Sequence, residues 1–173
     1  ERVAGYVLMS PSFRLQAAGA RLLDLPLARR LVPLILGAER RWTPRSEAHA
    51  AGWTTAYPSE ALVELGAVAH TAYLSDYGRP GAPALFLISD RDAIVDPEAT
   101  REVARRWGAA NGAVAEIRTL DPGPGDDPDA HVLAGDALSP GLTEPALAAI
   151  LDWMDRRGIA ERESGAGPEA SGD

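Results

Sequence analysis

Positions 84–88 are apolar without interruption, Ala84-Leu85-Phe86-Leu87-Ile88, and give way at once to Ser89-Asp90-Arg91-Asp92. Such a run between turn-forming segments predicts a strand covered on both faces, as in a parallel sheet. Residues 3–10 have the same near-continuous apolar texture, ended by Pro11, and predict a second buried strand that should not lie at a raw edge. Residues 113–120 mix Val114, Ile117 and Leu120 with Glu116 and Arg118, the composition of a half-exposed strand at a sheet margin. Helices fill the intervals. Ser59 can cap one that runs to about Asp76 with Leu62, Leu65, Ala69 and Tyr73 on its inner side. Asp96 is a cap followed by Pro97 at the first helical position. Glu98 lies near the positive end, Arg105 and Arg106 lie near the negative end, and Gly108 stops the helix. Thr143 begins the last helix, with Leu147, Ile150, Leu151 and Met154 at i, i+3, i+4 and i+7, and Gly158 closes it.

The texture changes between residues 12 and 56. Leucine-rich helical pieces broken at Pro26 and Pro33 lead to Glu39-Arg40-Arg41-Trp42-Thr43-Pro44-Arg45, which reads as an excursion and not as sheet. Strands alternating with helices imply an α/β fold, an open parallel sheet with helices on its faces. The chain divides into a core strand (1–12), a helical lid or cap (13–56), the remaining α/β core (57–158) and a tail (159–173) whose composition predicts disorder.

Composition narrows the function. The 173 residues carry 17 basic against 25 acidic side chains, a net charge of −8, so no basic stripe is available for nucleic acid and a small-molecule substrate is expected. Every basic residue is Arg; without Lys there is no Schiff-base chemistry. With no Cys, thiol catalysis and cysteinyl zinc sites are excluded, and a cytoplasmic setting is expected. The longest apolar stretch, residues 31–36, is too short for a membrane span. The opening Glu1-Arg2-Val3 already lies in strand pattern without an initiator Met, and the chain is read as cut from a longer polypeptide.

The chemistry centres on Asp92 and His131. A carboxylate at the end of one buried strand and an imidazole in the loop after the next is the order that brings an orienting acid to a general base. Asp129-Ala130-His131-Val132-Leu133-Ala134-Gly135-Asp136 follows the marginal strand, and in open parallel sheets reactive groups gather beyond the carboxyl ends of strands. These segments resemble the later part of an α/β-hydrolase. Residues 82–97 look like its seventh strand and acid turn, residues 129–136 like the histidine loop after the eighth, and residues 3–11 like the sixth strand. Trp53-Thr54-Thr55-Ala56-Tyr57-Pro58 and Ser139-Pro140 are similar to segments of bacterial lysophospholipase-like and serine-aminopeptidase-like members. The resemblance covers residues 1–158. It implies a Ser-His-Asp triad for carboxylic ester hydrolysis, possible lipid-like substrates and no cofactor. Asp92 would orient His131, and His131 would take the proton of a serine. The acid falls three residues after Ser89, which selects Asp92 over its rival Asp90.

No serine here has glycine two before and two after it, as a G-x-S-x-G elbow requires. The expectation is therefore that the nucleophile lies upstream of Glu1, that the isolated chain is inactive, and that residues 3–10 pair with a strand from the upstream half or from another chain. His49 and His70 lack a carboxylate partner and read as surface or packing residues. Asp121, Asp126, Asp127 and Asp129 match no calcium-loop spacing and read as a solvated loop, so no metal is assigned. The leucines of residues 22–36 would line an acyl site or pack the lid on the core. Two other readings remain. Asp90-Arg91-Asp92 resembles the D-x-D motif of magnesium-dependent haloacid-dehalogenase-type phosphatases, whose site also wants a lysine. The chain could equally be a non-catalytic fragment or subunit that mediates association.

Overall fold

A computed structural model describes residues 3–17, 20, 23 and 25–159. Leu22 and residues 160–173 of the expected tail lie outside the described residues. Three parallel strands form the main sheet: β1 (Tyr6–Met9), β4 (Ala84–Ile88) and β5 (Ala115–Thr119), in the order β1-β4-β5. Tyr6 pairs with Ala84 and Met9 with Leu87 on one side of β4, while Ala84 pairs with Ala115 and Ile88 with Thr119 on the other. Helix α3 (Ala61–Leu74) precedes β4, α4 (Pro97–Arg106) connects β4 to β5, and α5 (Pro140–Arg156) ends the fold.

Alternation along β4 explains the layers, because successive side chains of a strand point to opposite faces. Ala84 and Phe86 join Phe13, Ala99, Val103 and Trp107 on one face, where the end of α3 also packs through Ala72 and Tyr73. Leu85 and Leu87 join Leu133, Leu142, Ala146 and Trp153 on the other. All five β4 residues are buried, as a central strand clad by helices on both sides must be. Asp96 accepts the N–H of Glu98 at 2.9 Å and starts α4 at Pro97 as its sequence predicts. No helix among the described residues is long and apolar enough to cross a membrane.

Several local expectations are corrected. β1 is an edge strand, not one covered on both faces: Tyr6, Val7 and Met9 are 36–40% exposed, because β4 takes one side of its ladder and no described strand takes the other. Pro33 does not break the helix of the excursion but lies inside α1 (Ala28–Leu36), where only Ala28 and Val32 are buried. The excursion also contains sheet, since β2 (Glu39–Arg41) and β3 (Ala56–Pro58) pair antiparallel around the short helix α2 (Glu47–Gly52). Ser59 caps no helix; its hydroxyl donates to the Gly37 carbonyl, tying the start of α3 back to the end of α1. Leu65 is exposed, and the inner side of α3 runs instead through Gly66 and Ala69. In α5 the helix begins at Pro140 rather than Thr143. Its inner stripe is Leu142, Ala146 and Trp153, leaving Leu147 and Leu151 outside. Trp153 sets this rotation: a Cβ at Gly5 would lie 2.6 Å from its ring, so the indole takes the space glycine leaves beside β1.

The turn between α4 and β5 offers a test of the core's edge. Gly108 and Gly112 both have positive φ, 70° and 74°, but a Cβ at 108 would lie 1.9 Å from the Ala113 carbonyl oxygen while one at 112 would meet nothing within 4 Å. Gly112→Ala should therefore cost about 1 kcal/mol from the left-handed backbone alone. Gly108→Ala should cost more than about 2 kcal/mol, because the turn must also shift. Urea unfolding midpoints of the two variants check this ordering.

Candidate functional site

The C-terminal end of β4 feeds directly into the site. Ser89 is buried, its hydroxyl accepts the N–H of Arg91 at 3.1 Å, and the Asp92 N–H closes the turn on the Ser89 carbonyl at 3.3 Å. This turn separates two carboxylates that lie two residues apart. Asp90 faces outward and pairs with Arg101, whereas Asp92 is turned in and only 2% exposed. Burying a carboxylate is costly unless donors replace its water. Asp92 has three: the N–H groups of Ile94 and Val95, each 2.9 Å from Oδ1, and His131 Nδ1, 3.0 Å from Oδ2.

The two residues singled out from the sequence are thus brought together. A carboxylate can only accept, so the proton of this hydrogen bond sits on Nδ1, and in the neutral ring the Nε2 lone pair is the one left free. The imidazole is partly exposed, and among the described residues Nε2 has no hydrogen-bond partner. No serine hydroxyl among those residues bonds to His131. Ser10, just after β1, has φ of 40°, and its buried hydroxyl has no hydrogen-bond partner among the described residues.

The loop that carries His131 is organised by a residue that the sequence reading placed in a solvated loop. Asp127 is 5% exposed. Its Oδ2 accepts the N–H groups of His131 at 3.1 Å and Val132 at 3.0 Å, and its Oδ1 accepts the Asp129 N–H at 3.2 Å and Arg45 Nη1 at 2.8 Å. Ser139, also buried, accepts the Asp127 N–H at 3.1 Å and donates to the Val132 carbonyl. The acid turn and the histidine loop are joined at the backbone as well, where the Ala93 N–H donates to the Asp129 carbonyl at 2.8 Å. Ala130, held at φ 54° between these anchors, brings His131 round toward Asp92. The only advance signal for Asp127 was an Asp-rich turn whose carboxylates can bond their own backbone.

Of the other candidates, Asp121 and Asp129 are at the surface or partly exposed, Asp126 accepts the N–H of Gly123 and Gly141, and His70 is exposed. His49 is buried: its Nδ1 accepts the Arg45 N–H at 3.2 Å and its ring meets Trp53 edge-on at 5.5 Å, which makes it a packing residue.

Burial opposes the charge on Asp127, but the N–H groups of Val132, Asp129 and His131, together with the Arg45 guanidinium, outweigh it and hold this carboxyl below its ordinary value. A depressed folded value contributes stability that is complete above the unfolded value, near pH 4, and is lost as pH falls through the folded one. Stability should therefore fall as pH drops below about 4. Asp127→Asn should lower stability at pH 7 by about 1–3 kcal/mol and flatten that acid limb. Denaturant unfolding of both proteins between pH 2 and 7 checks this, and parallel profiles would contradict it.

No protein-family description matches the sequence, and no curated protein does. Among solved structures the fold is similar to that of a soluble variant of monoglyceride lipase from Saccharomyces cerevisiae, determined in complex with a substrate analog. The TM-score is 0.55 at 11% sequence identity, covering 89% of this chain and 56% of the lipase chain. This chain thus spans about half the length of that structure, and the likeness is one of fold. The mixed α/β architecture, a parallel sheet with flanking helices, is α/β-hydrolase-like.

Proposed function

We propose that this chain is the C-terminal portion of a serine hydrolase acting on carboxylic esters, with Asp92 and His131 as two members of a Ser-His-Asp triad. The observation that carries the reading is the 3.0 Å hydrogen bond between His131 Nδ1 and a carboxylate presented by the end of the central parallel strand. The serine comes from polypeptide outside residues 1–173, a reading supported by the absence of any G-x-S-x-G serine in the sequence and of any hydroxyl bonded to Nε2 among the described residues.

The chemistry follows from that geometry. As the serine oxygen attacks the ester carbonyl carbon, its proton passes to His131 Nε2, and Asp92 stabilises the resulting imidazolium and fixes the ring. The tetrahedral intermediate collapses with cleavage of the ester C–O bond. The proton on Nε2 goes to the departing alkoxide, which leaves as the alcohol, and an acyl-serine remains. Water then attacks the acyl carbonyl carbon and loses a proton to the same nitrogen; the acyl–serine C–O bond breaks, Nε2 returns that proton to the serine oxygen, and the acid is released. No cofactor enters these steps.

In this reading residues 13–56 are the lid. The exposed Leu27, Leu34 and Ile35 on and before α1 suit an apolar acyl group, so lipid-like esters are the favoured substrates. The free edge of β1, with Val7 and Met9 exposed, receives the neighbouring strand from the upstream half or from another chain.

The isolated 173-residue chain should cleave p-nitrophenyl butyrate no faster than its His131→Ala variant, and measurable His131-dependent turnover would refute the external serine. Joined to the coding sequence upstream of Glu1, which should contain G-x-S-x-G, the protein should hydrolyse that ester. Asp92→Asn should then lower kcat by about 10⁴-fold. An upstream sequence without such a serine would remove the proposal.

A further inference from the structure

The residue that completes the Asp127 cluster comes from the excursion, far away in sequence. Arg45 lies between β2 and α2. Its Nη1 is 2.8 Å from Asp127 Oδ1 and its Nη2 is 2.9 Å from Asp129 Oδ2. Both carboxylates belong to the loop that carries His131. The backbone of Arg45 is held from its own side, because its N–H donates to the buried His49. Ser46 accepts the His49 N–H at 3.0 Å, capping α2, and donates to the Ala137 carbonyl at 3.2 Å.

The energetics make this contact more than a surface ion pair. Exposed pairs contribute little, but the Asp127 side chain is only 6% exposed, where an uncompensated charge is expensive. Its four lone-pair sites are taken by three backbone N–H groups of the histidine loop and one guanidinium of the excursion. Withdrawing the guanidinium leaves the carboxylate with only the dipoles of that loop. The loop must then either hold a poorly compensated buried charge or open to admit water. Two of the three N–H groups it would release are those of His131 and Val132.

We propose that Arg45 is a positioning residue for His131: by clamping Asp127 and Asp129 it couples the placement of residues 13–56 to the geometry of the histidine loop, so that displacing the excursion loosens the base. The clamp rests on the functional reading above only for its consequence in catalysis; the contact itself is a property of this chain alone. The histidine loop is thus fully anchored only while the segment that carries Arg45 is seated on it.

Amide hydrogen exchange of the 173-residue chain, read by NMR, tests this directly. Arg45→Gln should speed exchange at the His131 and Val132 amides at least about tenfold and shift their resonances, while Leu85 and Leu87 in β4 stay as protected as before. Asp129→Asn, which removes one prong and leaves Asp127 intact, should raise the same two amides by a smaller factor and keeps the test alive if the first variant folds poorly. Unchanged exchange at both amides in both variants, or an equal rise at all four positions, would overturn the clamp. Asp92→Asn replaces the ring's carboxylate with a neutral amide and should leave the His131 and Val132 amides protected. Failure of the triad therefore shows as loss of catalysis with the clamp in place, and failure of the clamp shows as unaltered amides with the triad in place.

Discussion

A carboxylate removed from water must find donors, and at the end of β4 that requirement recruits His131. Asp92 follows the fully buried central strand β4, where two backbone N–H groups supply part of what solvent would have supplied and the imidazole supplies the rest. The strand's burial therefore does two things at once. It anchors the sheet between two layers of helices, and it places the acid where the ring is the remaining partner, so the tautomer and direction of the histidine follow from packing.

A second buried carboxylate does for the backbone what the first does for the side chain. Asp127 gathers the N–H groups of its own loop, Ser139 braces that loop from the start of α5, and the Ala93–Asp129 hydrogen bond joins it to the acid turn. The result is a rim built from three parts of the chain: the end of β4, the loop after β5, and the excursion that supplies Arg45. None of these parts is adjacent in sequence. The parallel sheet is what makes them neighbours, because it delivers the ends of its strands to one edge.

Much of this was legible in the residues. Positions 84–88 between turn segments read as a covered strand, and Asp96-Pro97 with Arg105 and Arg106 announces both ends of α4 by local chemistry alone. The pairing of Asp92 with His131 was legible as well, because strand ends and their order carry that information. The rest depended on partners remote in sequence. Asp127 has the same composition around it as a solvated loop, and it is buried because Arg45 and Ser139 fold onto it. Ser59 turned away from its own helix toward Gly37. The inner side of α5 was set by one indole fitting beside Gly5, against leucines that outnumber it on the other side. The exposure of β1 reflects what lies beside the strand, and its own apolar residues do not encode that.

The imidazole itself offers the most direct check of the central pair. In long-range ¹H–¹⁵N spectra of the ¹⁵N-labelled chain, His131 should hold its proton on Nδ1, as a downfield resonance protected from exchange that disappears in Asp92→Asn. A His131 ring that samples both tautomers freely, with spectra indifferent to Asp92→Asn, would contradict the account.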